Sequence, residues 1–181
     1  MVKYIKLGRD VNVKNSRLLI VLLVFIALIY GCDEEEKSQS QVDFKVLTSE
    51  EALPTNFYDI AFKRDTTPYY KYLVRKSVNK TELDETWRLY ELEQEIPDVD
   101  FNESVVFFIG FTEGGCPSEI KDITFNSKNN TLNVPLLGPD GNCTTIESGR
   151  TIVIKIEKEL SEKIKTISIV ESYTETTVPF E

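Results

Sequence analysis

The chain has 181 residues, no histidine, one tryptophan and three cysteines, and 30 acidic residues outnumber 21 basic ones. That acidity argues against nucleic acid as a partner, since phosphate backbones are held by a surplus of Lys and Arg. The absence of histidine excludes Ser-His-Asp and Cys-His nucleophilic arrangements and removes the commonest zinc ligand.

The first element is a leader. Lys3, Lys6, Arg9, Lys14 and Arg17 precede the uncharged run Leu18–Tyr30, and Gly31-Cys32 closes it. The run would make about 20 Å of helix at ~1.5 Å per residue, too little for a bilayer core of ~30 Å. An ordinary secretory site wants small residues at the first and third positions before the cut. Gly31 fits and Ile29 does not. A basic start, a short apolar stretch and a small residue before Cys is the pattern of a bacterial lipoprotein signal peptide. It predicts cleavage after Gly31 and acylation of Cys32, palmitate included, because two or more chains are needed for stable anchoring. The expected address is the extracytoplasmic face of the cell membrane.

After Cys32 the chain reads DEEEKSQSQ, with no apolar residue before Val42. Such a segment cannot bury enough surface to fold and is expected to be a flexible tether. The predicted organisation is therefore a removed leader over 1–31, a lipidated acidic tether over 32–41, and a single globular domain over 42–181. Only 16 basic groups face 29 acidic ones from Cys32 onward, a net of −13.

Most of the domain reads as strand. Val42, Phe44 and Val46 alternate with polar residues, as do Tyr58, Ile60 and Phe62, and Tyr70, Tyr72 and Val74; this is the period of a half-buried strand. The segment KRDTTP between the last two is a turn. Asn79–Leu92 is the one good helix. Asn79 can cap it, Glu82 stands at the capping-box position, and Leu83, Trp87 and Tyr90 share a face. Trp87 on that face is read as core. Val105–Phe111 is apolar at every position but Gly110, with Val105, Phe107, Ile109 and Phe111 on one side and Val106 and Phe108 on the other. A strand buried on both sides is central in its sheet; Phe107 and Ile109 are placed in the core.

The loop GGCP follows. Ile123 and Phe125 share a face, NSKNN turns the chain, and Leu132, Val134 and Leu136 share the next face. Pro135 lacks an amide donor, which predicts an edge strand. GPDGNC is another loop. Ile152, Ile154 and Ile156 mark a further strand and Thr166–Val170 the last. The expected fold is α+β and mostly β: an antiparallel sheet, sandwich- or barrel-like, with one amphipathic helix packed on it.

A strand, a helix bearing Trp87, the segment PDVDFNESVVFFIGFTEGG and then hairpin strands resemble the C-terminal domain of PrcB-type protease-complex subunits. They also resemble uncharacterised lipoproteins of Gram-positive bacteria. The resemblance spans Tyr70–Glu157 and is carried by Val99-Asp100-Phe101, the apolar strand ending at Gly110, and Gly114-Gly115. It departs at Cys116, where an aromatic residue is usual. It implies an accessory role beside an envelope protease, without catalysis.

Chemical motifs are sparse. Asp98-x-Asp100-x-Asn102 imitates a calcium loop but has Glu103 where Gly is required and Ile109 at the closing Glu. Gly138–Gly141 has no Lys behind it and reads as a turn. No metal and no cofactor is expected. Cys116 and Cys143 are not a CxxC pair. Two cysteines outside the reducing cytosol, both in loops at the ends of a hairpin, are expected to form a structural disulfide. Two classes of function stay open. One is a membrane-anchored, non-catalytic module that binds or supports another envelope protein. The other is a carboxylate-based cell-envelope hydrolase.

Overall fold

A computed structural model of the chain describes residues 38–61, 72–138, 146–172, 174–178 and 180. The described residues form nine strands: β1 (Gln39–Gln41), β2 (Phe44–Glu50), β3 (Tyr72–Ser77), β4 (Ser104–Glu113), β5 (Thr124–Asn126), β6 (Thr131–Leu136), β7 (Ser148–Glu157), β8 (Thr166–Glu171) and β9 (Thr174–Val178). They also form three helices: α1 (Phe57–Ala61), α2 (Lys80–Leu89) and α3 (Lys158–Ser161). One sheet has the order β1-β5-β6-β8-β9 and the other β2-β7-β4-β3.

The doubly apolar strand organises the molecule. β4 lies between β3 and β7, antiparallel to both, with Ile109 opposite Val74 on one side and Ile152 on the other. Its alternation feeds two cores. Val105, Phe107, Ile109 and Phe111 pack with Ile152, Ile154 and Ile156 of β7 and with Leu132, Val134, Ile167 and Ile169 of the five-stranded sheet. Val106 and Phe108 point the other way, onto Phe57, Leu83, Trp87 and Tyr90 of the helical segments. The fold is therefore mostly β, in three layers: a five-stranded sheet, a four-stranded sheet, and helices on the outer face of the latter.

The cap of α2 forms much as its sequence predicts. Asn79 Oδ1 accepts from the Glu82 amide at 2.9 Å. Glu82 reaches back one residue further than a capping box requires, to the Val78 amide at 2.9 Å. The helix closes at Leu89, short of Leu92, because Glu91 turns left-handed at φ 55° and the Leu92 amide bonds back to the Trp87 carbonyl. Trp87 meets the Phe108 ring edge-on at 5.9 Å and donates its Nε1–H to the Gln94 carbonyl at 3.0 Å. Tyr90 lies 5.4 Å from the same ring and donates its hydroxyl to the Leu73 carbonyl. Gly110 makes room for it: a Cβ there would stand 2.9 Å from Tyr90 Cε1 and 3.0 Å from Leu53 Cδ2.

Six expectations need correction. Gln39–Gln41, placed in the flexible tether over 32–41, form β1 instead, because their backbone pairs antiparallel with β5. Tyr58 and Ile60 lie on α1, a short helix and not a strand; Phe57 and Ala61, four apart, are its buried pair, and Tyr58 is 53% exposed. Phe62 and Tyr70 lie outside the described residues. Val46 is 40% exposed on β2, an edge strand; beyond it the register shifts between Val46 and Thr48, and Leu47 packs against the helical layer. β6 is interior, paired antiparallel with β5 and parallel with β8, so its sheet is not purely antiparallel. β5 matches only Thr131–Asn133, so Pro135 falls where no β5 residue pairs with it. Thr166–Glu171 is not the last strand, since β9 pairs antiparallel beyond it. Finally, three helices stand where one was expected.

Candidate functional site

The space between the sheets is filled with side chains. Phe107, Phe111, Leu132, Ile152, Ile154, Ile167 and Ile169 there are each 0–1% exposed. A ligand-holding interior of the kind found in larger barrels is thus absent among the described residues, and any site is on the surface.

Trp87, Phe107 and Ile109 all sit in the cores, as expected. Cys116 is disulfide-bonded, in the loop after β4. Cys143, Gly31 and Cys32 lie outside the described residues, as does the leader. Among the described residues no helix is long and apolar enough to cross a membrane.

The loop after β4 carries a polar cluster that sequence reasoning did not find. Glu113 continues the inward face of β4 past Phe111 and is 4% exposed. Arg150 of β7 pairs with it through Nε, Glu113 Oε2 accepts the Ser118 amide at 2.7 Å, and Arg150 Nη1 donates to Ser49 Oγ at 3.3 Å. The pair closes one end of the inner core and fixes the loop Gly114–Ser118. Over it lies a hollow of about 210 Å³ bordered by Gly115, Pro117 and Ile146, the last 72% exposed. The available signal was an acid at the next inward position of an apolar strand, which demands a buried cation.

Two of the larger charged grooves lie at opposite ends of β2. One, of about 580 Å³, is lined by Glu50, Glu51, Glu91 and Glu93. Two of these acids have structural partners. Glu50 accepts the Glu93 amide at 2.8 Å and the Thr48 hydroxyl at 3.1 Å, and Glu91 accepts the Thr55 hydroxyl. The other, of about 680 Å³ at the opposite end, mixes Lys45, Lys155 and Lys158 with Asp43, Glu103 and Glu157. Asp100 Oδ1 accepts both the backbone and side-chain amides of Asn102, at 2.9 and 3.0 Å, which makes that segment an Asx turn.

Two titratable groups are displaced from their ordinary behaviour. Burial, then the hydrogen bond to Glu171 at 2.8 Å and its charge, push the Tyr72 phenol well above the usual tyrosine range. Because β3 and β8 belong to different sheets, this bond ties the two layers together. Burial lowers the Lys76 amine, against the opposing charges of Glu162 and Glu82. Its Nζ donates to the Ser161 carbonyl at 3.3 Å and lies 5.9 Å from the centre of the Phe107 ring.

The outward face of the five-stranded sheet is different again. Registers place Gln41, Thr124, Asn133, Ser168 and Thr177 in one row across all five strands. A second row holds Gln39, Asn126, Thr131 and Thr166, and a third Pro135, Val170 and Glu175. Glu175 is the one charged group in the three rows, and it accepts the Ser168 hydroxyl at 2.7 Å. Asn133 Nδ2 donates to Thr124 Oγ1 at 3.4 Å within the same face.

No protein-family model, no curated protein and no solved structure matches the chain. The resemblance to PrcB-type subunits stands on the residues quoted for it alone.

Proposed function

We infer that the protein is an envelope lipoprotein, anchored through acylated Cys32 on the extracytoplasmic face, whose domain is a non-catalytic binding or accessory module for another envelope protein, a protease among the candidates. The observation that carries the module reading is the filled interior together with the engaged acids. Among the described residues the inner core leaves no internal chamber for a substrate. Glu113 and Glu50, acids in two of the acid-bearing hollows, hold the fold together. A carboxylate-based hydrolase needs two acids free to face a substrate, and these two are committed elsewhere. The anchor rests on Gly31-Cys32 behind a short apolar run. Cys116, already disulfide-bonded, is assigned Cys143 as its partner, since Cys32 is taken by lipid.

Capture of the tagged full-length chain from solubilised membranes, with peptide mass mapping of the captured chain, tests the reading. The expected map shows an acylated N-terminal Cys32 and a Cys116–Cys143 peptide pair, and Cys32→Ala releases the chain from the membrane. An unacylated wild-type chain would sink the anchor. A chain recovered repeatedly without any co-captured envelope protein would sink the accessory role.

A further inference from the structure

We propose that the free edge of β9 is a docking strand for an extended, basic segment of a partner protein, which joins the five-stranded sheet beside β9. This rests on the accessory reading above and names the chemistry of the partner which that reading leaves open.

A sheet edge presents a row of backbone N–H and C=O groups with which another strand can pair. Folded proteins blunt such edges with short strands, Lys or Pro, irregular register or a covering segment. Among the described residues the two sheets end in β1, β9, β2 and β3, and three of these edges are blunted. β1 is only three residues long. β2 carries Lys45 and shifts register between Val46 and Thr48. β3 is met at Val74 by Phe180 in a parallel bridge, with the Phe180 ring 5.8 Å from that of Phe107. β9 has none of these devices. Thr174–Val178 pair with β8 in one unbroken register, contain no Lys, Arg or Pro, and pair with no other described strand.

The strand is also suited to a neighbour. Thr174, Thr176, Thr177 and Val178 are β-branched, the side-chain type that packs well across paired strands. Thr176 and Val178 are 8% and 3% exposed. Their burial fixes the strand to the core, so the edge is held in place before anything docks. The one charged residue, Glu175, accepts the Ser168 hydroxyl at 2.7 Å. Because Ser168 belongs to β8, that carboxylate leans back over the sheet and away from the free edge.

Backbone pairing selects an extended chain and leaves its side chains open. Charge narrows them. From Cys32 onward 29 acidic groups face 16 basic ones, a net of −13. A strand bearing Lys or Arg is attracted by that field, and an acidic one is repelled. A second copy of this chain brings the same −13 and is disfavoured on that ground. Five residues of pairing make a small contact, in the range of transient encounters. Binding should therefore be weak and should fall as salt rises.

The test is fluorescence anisotropy of a short labelled peptide, Lys alternating with Thr and Val, titrated with the detergent-solubilised full-length chain. The peptide is expected to bind. Methylating two adjacent central nitrogens blocks both of its edges and keeps its charge, and should abolish binding. The matching Glu peptide should not bind. Thr177→Lys, at an exposed position of β9, adds the residue that blunts natural edges and should weaken binding about tenfold. Val46→Lys, exposed on β2 of the other sheet, adds the same charge elsewhere and should bind like the wild type. No binding at about 1 mM overturns the proposal, as does unchanged binding of the methylated peptide or by Thr177→Lys. Equal binding of the Glu peptide overturns the basic partner. Dimers in sedimentation velocity that Thr177→Lys dissolves, with no peptide bound, would give the edge to a second copy instead. Co-capture of an envelope protein that survives Thr177→Lys would keep the accessory role and overturn only the edge.

Discussion

The two sheets turn opposite kinds of surface outward. The four-stranded sheet presents Leu73, Val106, Phe108 and Val153 to a helical layer that buries them. The five-stranded sheet presents Thr, Asn and Gln, with Ser168 and Thr131 buried among them, and no described helix packs on that face. Both feed their other face into one shared core. The difference is set strand by strand. β4 and β7 are apolar at successive positions and must be covered twice, whereas β6 and β8 alternate and need one cover. The side with helices therefore needs its cover for stability, and the other side does not.

The largest expected effect comes from breaking the covered side. Trp87 is 2% exposed and fills the contact between α2 and Phe108. Trp87→Ala should cost ~3–5 kcal/mol, the usual range for a buried aromatic truncated in a core. Urea unfolding of the full-length chain measures it. A loss under about 1 kcal/mol would mean that the helical layer contributes little and that the four-stranded sheet tolerates exposure.

Much of that covered side could be read beforehand. Asn79, Glu82 and the Leu83–Trp87–Tyr90 spacing give a helix by local chemistry alone, and the run from Val105 to Phe111 gives a central strand. What stayed illegible depends on partners distant in sequence. Tyr58 and Ile60 satisfy a strand period, but Phe57 and Ala61 satisfy a helical one within the same five residues, and short segments do not separate the two. Val46 keeps the strand period but lies on an edge strand, and no single strand encodes its place in the sheet order. Pro135 signals a missing amide, not a sheet edge, and β5 happens to end before it. The parallel pairing of β6 with β8 follows from β7 belonging to the other sheet. Of the surface features, Glu113 and Arg150 lie 37 residues apart in the chain, and the polar rows of the five-stranded sheet exist only once its strands are aligned.

A smaller effect is expected one row along the covered side. Gly110→Ala would push a Cβ against the Tyr90 ring and Leu53. Overpacking of this kind costs ~1–3 kcal/mol, offset in part by the better strand propensity of Ala. The readout is again the urea midpoint, with near-UV circular dichroism reporting displacement of Tyr90. An unchanged midpoint would show that the helical layer can slide outward and is not held rigidly against the four-stranded sheet.

The smallest effect probes the tie between the two sheets. Tyr72 of β3 donates to Glu171 of β8 at 2.8 Å and is held neutral by burial and by that carboxylate. Tyr72→Phe removes the bond and should cost about 1 kcal/mol at neutral pH. Its sharper signature is alkaline. The unfolded chain releases the phenol proton near pH ~10, whereas the folded one keeps it. Above that pH the unfolded state binds fewer protons than the native state, so stability falls as pH rises. The contribution of Tyr72 is fully present below pH ~10 and is lost above it, at up to about 1.4 kcal/mol per pH unit for one proton. Other tyrosines and lysines titrate in the same window, so the informative quantity is the difference between wild type and Tyr72→Phe. The variant should be less stable at pH 8 and should close that gap on going to pH 11. Parallel curves would mean that Tyr72 ionises as easily folded as unfolded, and that Glu171 does not hold its proton in place.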